Sequence, residues 1–388
     1  MSKSQHRAQL SHDLIVGMQV CVVRVLQVLQ ISYQHIVIWL KGGNLRSFIG
    51  LFLVGAILSL AIASCAGNRA FSQPADIKLK LVSFSVTKVA HDQIIPQFIA
   101  KWKQEHNQNV IFEQSYGGSG TQTAAVIAGS QAADIVHLAL PLDVNKIQQA
   151  GLIKPGWENR SPRNGIVSKS VAAIVTREGN PKGIKTWADL AKDGVTLIAA
   201  NPKTSGIAIW EFLALWGSVT LTGGDETTAL NYVTKVYKNT PILTKDAREA
   251  SDLFFQKNQG DVLINYENEI VLGKKTGAKL PYIVPSVNIS IDNPVAIVDR
   301  NVDQHGTKKV AEAFVDFLYS KAAQREFAKL QYRPVNPTVT QEVVSQYPQI
   351  KTLFTSQDLG GWDLIQKKFF VDGAIFDQVQ AAKKVSAI

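Results

Sequence analysis

Cysteine is nearly missing from this chain. Its 388 residues hold two, Cys21 and Cys65, and none follows residue 65. The later region therefore has no disulfide to staple it and no thiol nucleophile, and must stand on a packed core. Histidine is equally thin: seven are scattered, with no His-Glu-x-x-His pair or other metal-ligand spacing, so no resident metal is expected. A Gly-x-Ser-x-Gly elbow, a Walker A loop and a Gly-x-Gly-x-x-Gly fingerprint are all lacking. Asp261, Glu267 and Glu269 bracket a strand end without a partner base and read as ion-pair formers. Neither an enzyme nor a cofactor is expected.

A nucleic-acid patch is missing too. The formal charge is +10, but residues 1–64 hold five basic residues against Asp13 alone, and the remainder carries 36 Lys/Arg against 30 Asp/Glu. No Lys/Arg cluster stands out, so the surplus is general surface character and no nucleic-acid partner is expected. Repeats and low-complexity tracts are absent. With 46% hydrophobic residues, the length suits two domains behind a leader.

That leader is the first thing present. Phe48 to Ser64 is an uncharged apolar run preceded by Lys41 and Arg46, and it ends Leu60-Ala61-Ile62-Ala63-Ser64-Cys65. Basic residues, an apolar stretch and small residues before a cleavage point mark a secretory signal. A cysteine directly after Ala-Ser looks like a bacterial lipobox, which predicts residues 1–64 as leader, a lipid on Cys65, and a polar tether over 65–75. A signal cleaved nearby without lipidation, or an uncleaved anchor of marginal length, fits the same run. Val20 to Leu40 is apolar only in patches, broken by Arg24, Gln27, Gln30, Gln34 and His35, and suits neither a signal nor a span.

Beyond the tether, strand and helix signals alternate. Ile77 to Phe84 reads as a strand; Ile95, Phe98, Ile99 and Trp102 then form one helical face, with Pro96 expected in that helix's first turn. Strands are predicted at Asn109–Gln114, Asp134–Leu140, Val171–Thr176, Val195–Ala200, around Ile242-Leu243, and at Asp261–Tyr266. Ser161 to Gly165 reads as a crossing segment. Such alternation predicts mostly parallel βαβ sheets covered by helices.

Several donor-rich turns each follow a strand and open a helix: Ser83-Phe84-Ser85, Gly117 to Gly120, Thr204 to Ile207, and Asp246-Ala247. The first turn of a helix has N–H groups without internal partners and carries the positive end of the helix dipole. Each turn alone also reads as an ordinary capped helix, and Tyr266 alone as a buried strand aromatic. If the turns converge, they line a cavity with N–H and hydroxyl donors and no obligatory cation. That suits a fully ionised oxyanion such as sulfate; phosphate keeps a proton near neutral pH and asks for an acceptor.

From about Ile77 to Val379 the chain resembles the periplasmic sulfate-binding proteins of ABC importers, including their thiosulfate-binding relatives. The matching stretches are Gln114 to Gly120, Ala133-Asp134-Ile135-Val136, Asn201-Pro202-Lys203-Thr204-Ser205-Gly206, Gly260 to Ile264, Tyr266-Glu267-Asn268-Glu269, Tyr332-Arg333-Pro334, Gly360-Gly361-Trp362 and Phe376-Asp377-Gln378. The resemblance implies an α/β, two-lobed periplasmic binding protein fold of type II: mostly parallel sheets, helices on both faces, and the ligand in the interlobe cleft. It places lobe I at 76–160 and 268–325, lobe II at 161–267, and a C-terminal helical segment, 326–388, packing across the lobes. It implies amide donors at Ser85, Ser119, Gly206, Ile207 and Ala247, with the Ser205 hydroxyl. Three positions depart from the family: Ser85 stands where Asp is usual, Ile207 where Gly is usual, and Tyr266 where the family has an indole donor. A Tyr donor also occurs in related molybdate-binding proteins. Sulfate, delivered to the permease subunits of an ABC importer, is thus the implied ligand, with thiosulfate or molybdate/tungstate as alternatives and an enzyme on the same fold as the reading from another class. The implied setting is a lipid-anchored monomer in the periplasm, at the outer face of the cytoplasmic membrane.

Overall fold

The computed structural model describes residues 75–274 and 280–385. The leader, Cys21 and the proposed lipidation site Cys65 lie outside the described residues. Within them, no helix is long and apolar enough to cross a membrane.

The chain opens with β1 (Ile77–Phe84), α1 (Lys88–His106), β2 (Val110–Gly117), α2 (Ser119–Ile127), β3 (Ile135–His137) and α3 (Pro141–Gln149). β1 lies between β2 and β3, parallel to both, and buries Leu79 and Leu81 completely. β4 (Ile166–Ser170) and β5 (Ala172–Thr176) follow, then β6 (Leu197–Ala200), α4 (Gly206–Thr220), α5 (Glu226–Lys238), β7 (Ile242–Thr244), α6 (Ala247–Ser251) and β8 (Val262–Tyr266). α6 runs on into a π-helical turn, Asp252–Gln256. The return path holds β9 (Tyr282–Ile283), β10 (Val287–Ile289), β11 (Ile291–Ile297), β12 (Arg333–Pro334) and β13 (Thr352–Phe354).

Two sheets result, ordered β12-β4-β11-β3-β1-β2 and β7-β6-β8-β5-β9, with a small β10-β13 pair beside them. Both are mixed. Parallel pairing holds for β2-β1-β3 and β7-β6-β8, whereas β11, β4 and β12 in the first sheet and β5 and β9 in the second pair antiparallel. The expected mostly parallel sheets are thus parallel only where βαβ units build them.

The change of sheet comes at Val171. β4 pairs with β11 in the first sheet, and β5 pairs with β8 in the second. The segment 161–165, expected to cross, is instead a short turn ahead of β4 in which Arg163 and Asn164 adopt left-handed backbone (φ 58° and 56°).

Two local expectations also shift. α1 starts at Lys88, so Pro96 sits in mid-helix. It is exposed there, on the face of the helix where a missing N–H is tolerated best. Ala90, His91, Ile94, Ile95, Phe98 and Trp102 carry the buried face past it. β2 extends through Gly117, because Ser115, Tyr116 and Gly117 pair with Val82, Ser83 and Phe84. The glycine-rich turn shrinks to Gly118.

α4 is the most deeply buried helix near the second sheet. Every residue from Gly206 to Gly217 is buried, as expected of a helix apolar on all sides. Trp210 and Trp216 are core residues, as is Trp102 in α1.

Candidate anion-binding site

The parallel strands β1, β2, β6 and β7 each deliver one donor-rich turn at their C-terminal ends, and β8 ends on Tyr266. Open α/β sheets place ligands at such carboxyl edges. The turns converge. A Cβ added to Gly118 would run into the Thr204 carbonyl oxygen and lie 2.9 Å from that of Lys245, so only glycine allows the 117–120, 204–207 and 245–247 turns to touch. Thr121 N–H donates to the Thr204 carbonyl at 3.3 Å, and Thr204 Oγ1 donates to the Lys245 carbonyl at 2.8 Å. A Cβ on Gly206 would lie 2.6 Å from Leu140 Cδ2 and 3.2 Å from Ser119 Cβ. The fourth turn joins through Ser85, which lines a cavity of about 670 Å³ with Tyr116, Lys245, Asp246 and Arg248. The ring of the preceding Phe84 lies 5.9 Å from that of Tyr266.

Ser85, Ser119, Gly206, Ile207 and Ala247 each stand in the first turn of a helix. Their amides make no hydrogen bond outside their own helices to any described residue. Ile207 turns its side chain into the apolar core. Asp246 caps α6 by accepting from Glu249 N–H at 3.0 Å.

The hydroxyls divide. Ser119 Oγ donates to Asp143 Oδ2 at 2.7 Å and accepts from Ala139 N–H at 3.0 Å, so its proton is committed; Asp143 in turn meets Lys146 at 3.2 Å. Ser83 donates to the His137 carbonyl, and Thr87 to that of Phe84, both at 2.7 Å. Ser205 occupies the N-cap of α4 without capping it, and its hydroxyl has no partner among the described residues. Tyr266 is 1% exposed, and its hydroxyl is likewise unpartnered among them. Burial, with Tyr332, Glu211, Asp143 and Glu269 nearby, raises its phenol well above the usual range, so it remains a neutral donor.

The acids after β8 form buried ion pairs: Glu267 with Arg333 at 2.9 Å, and Glu269 with Arg248 at 3.1 Å. No group of His, Cys, Asp and Glu suited to a metal ion occurs among the described residues. Sequence reasoning missed Asp143, and it treated Trp210 as core alone. The Trp210 indole N–H also donates to the Ala139 carbonyl at 2.9 Å. It missed as well the buried pair His91–His137, joined Nε2 to Nδ1 at 3.1 Å, with His91 Nδ1 3.0 Å from the Tyr116 hydroxyl. Only Glu211, an acid inside an apolar helical run, carried a signal readable in advance.

Two sheets exchanging strands, with donor-rich turns meeting at their carboxyl edges, define a solute-binding protein. Residues 86–333 match the model of the bacterial extracellular solute-binding protein family. The chain belongs to that family. It is similar to a sulfate-binding protein of Synechococcus elongatus, 53% identical over 87% of this chain and 97% of the relative. A thiosulfate-binding protein of Pseudomonas aeruginosa is 34% identical over 84% of this chain and 98% of its own length. Among solved structures, the sulfate-binding protein SubI of Mycobacterium tuberculosis is 31% identical, with a TM-score of 0.70, covering 76% of this chain and all of that one.

Proposed function

We infer that the protein binds sulfate and delivers it to an ABC importer. The observation that carries this reading is the set of first-turn amides and two unpartnered hydroxyls meeting where two sheets present their carboxyl edges. In this reading Ser85, Ser119, Gly206, Ile207 and Ala247 donate through N–H, and Ser205 and Tyr266 through O–H. Hydrogen bonds to a charged partner contribute roughly 1.5–3 kcal/mol each, so six or seven suffice to offset desolvation and reach about −8 kcal/mol, a micromolar Kd. Two nearby carboxyls are held by partners: Asp143 by Lys146 and the Ser119 hydroxyl, and Glu269 by Arg248.

The role is capture and release rather than catalysis. The two sheets serve as cores of the lobes expected at 76–160 with 268–325 and at 161–267, and the sheet change at Val171 supports an edge of lobe II some ten residues later. The segment 326–388 packs across them: Lys203 beside the site meets Asp377 at 3.2 Å, and Arg333 meets Glu267. The working place is outside the cytoplasmic membrane, with the lipid on Cys65 as anchor and permease subunits as partners.

Calorimetric titration of the full chain with sulfate, thiosulfate, molybdate and phosphate tests the reading. Sulfate should bind at micromolar Kd or tighter, and phosphate at least about a hundredfold more weakly at neutral pH. Equal affinity for phosphate would sink it. Fatty-acid labelling of cells that make wild type but not Cys65→Ser tests the anchor.

A further inference from the structure

Helix α4 carries one carboxyl that the site does not use. Glu211 is 1% exposed, and neither of its carboxyl oxygens has a hydrogen-bond partner among the described residues. It stands four residues after Ile207, about 6 Å along the helix axis. Helical side chains lean toward the N-terminus and lie over the preceding turn. The carboxyl therefore tips toward the end of α4 that carries the Gly206 and Ile207 amides and the Ser205 hydroxyl.

Among the described residues no counter-charge lies in reach of Glu211. Of the elements packed on α4, α5 brings Tyr237 and β8 brings Tyr266 into electrostatic reach of Glu211. β5, β6 and β10 also pack there and contain no titratable residue, and the C-terminal turns that set Trp362, Phe369, Phe370 and Phe376 against α4 bring no charge into reach of Glu211. Lys368 reaches the helix further along, over the Trp216 ring, and pairs with Glu226. Burial raises the Glu211 carboxyl well above its usual range, which favours the neutral acid. A carboxylate there would sit unpaired in a low-dielectric interior, close behind any anion held by the first turn.

We propose that Glu211 couples anion binding to a proton, the carboxylic acid admitting the anion at the first turn of α4 and the carboxylate rejecting it. The coupling rests on the anion site proposed above. By linkage it is reciprocal: a bound dianion strengthens proton binding to Glu211, so titration in alkaline buffer draws one proton onto the protein. Glu211→Gln keeps a neutral side chain of the same shape at every pH and removes the coupling.

The test is calorimetric titration of the full chain with sulfate, from about pH 6 to about pH 10, in buffers of different ionisation enthalpy. Wild type should lose about tenfold or more in affinity toward the alkaline end and take up approaching one proton per sulfate. Glu211→Gln should bind sulfate as wild type does at neutral pH, with a flatter profile and no proton uptake. Identical profiles and proton counts in the two proteins would overturn the coupling and leave the site intact. Failure of wild type to bind sulfate at any pH would overturn both. If Glu211→Gln does not fold, infrared spectroscopy of wild type decides. A buried carboxylic-acid band that persists with sulfate bound, and fades in the ligand-free protein as pH rises, supports the coupling; absence of that band in the bound protein overturns it.

Discussion

The two halves of the candidate site hold their paired serines, Ser119 and Ser205, in opposite states. On the first-sheet side, the hydroxyls of Ser83, Thr87 and Ser119 are all engaged within the protein, and the half presents backbone amides. On the second-sheet side, the hydroxyls of Ser205 and Tyr266 make no hydrogen bond among the described residues, and neither does the carboxyl of Glu211. Two turns that look alike, Gly118-Ser119-Gly120 and Thr204-Ser205-Gly206, thus do different work. The first is a finished frame. The second leaves the Ser205 hydroxyl unpartnered among the described residues and available to an acceptor from outside.

The largest expected effect comes from forcing the halves apart. Gly118→Ala would drive a Cβ into the Thr204 carbonyl, a backbone atom that cannot swing aside. Sulfate affinity should fall about a hundredfold or more, and stability by about 1–3 kcal/mol, as read by calorimetry and chemical denaturation. Near-normal affinity would mean that the turns need not touch.

The serine pair tests the contrast directly. Ser205→Ala should weaken sulfate by roughly 1.5–3 kcal/mol and leave the unfolding midpoint unchanged. Ser119→Ala instead strands Asp143 and the Ala139 N–H, and should lower stability by roughly 1–3 kcal/mol with a smaller effect on binding. The contrast collapses if the two variants behave alike in both measurements. Tyr266→Phe removes one neutral donor, so a loss of about 1.5 kcal/mol in sulfate affinity is expected, and unchanged affinity would take the phenol off the ligand.

The smallest effect on neutral-pH binding comes from the histidines of the first half. Burial pushes His91 down to about 3 and, with His91 beside it, holds His137 well below its usual range. Both rings are neutral when folded, whereas in the unfolded chain they protonate near pH 6.5. Their contribution is therefore complete above about pH 6.5 and is lost as pH falls toward about 3, with a slope of up to ~1.4 kcal/mol per pH unit for each ring. Denaturation at stepped pH should show this slope in wild type and a shallower one in His91→Gln; equal slopes would count against a neutral buried pair.

Much of this was legible in advance, for a local reason. β1 is found where it was expected, and β8 within a residue, because apolar periodicity and flanking polar turns are short-range signals. The donor-rich turns were legible as turns. Their convergence was not, since it depends on Gly118 and Gly206 meeting backbone and side chains from distant segments. Pro96 misled because a lone proline on an exposed helical face is tolerated when neighbouring turns are anchored in the core. The commitment of Ser119 was hidden because Asp143 lies 24 residues away on the next helix.

The Ala139 carbonyl has a consequence for how the protein can be watched. It accepts from the Trp210 indole at 2.9 Å on one side and from Asn293 Nδ2 at 3.1 Å on the other. Trp210 rides on the second-sheet side, whereas Ala139 and Asn293 belong to the first. Any parting of the halves must release the indole, yet Asn293 keeps the carbonyl satisfied, so no bare acceptor opposes the separation. Trp210 would then pass from a dry, hydrogen-bonded setting to a wetter one, with a red shift in its emission. Trp210 emission would thus report any such parting, with no dye attached.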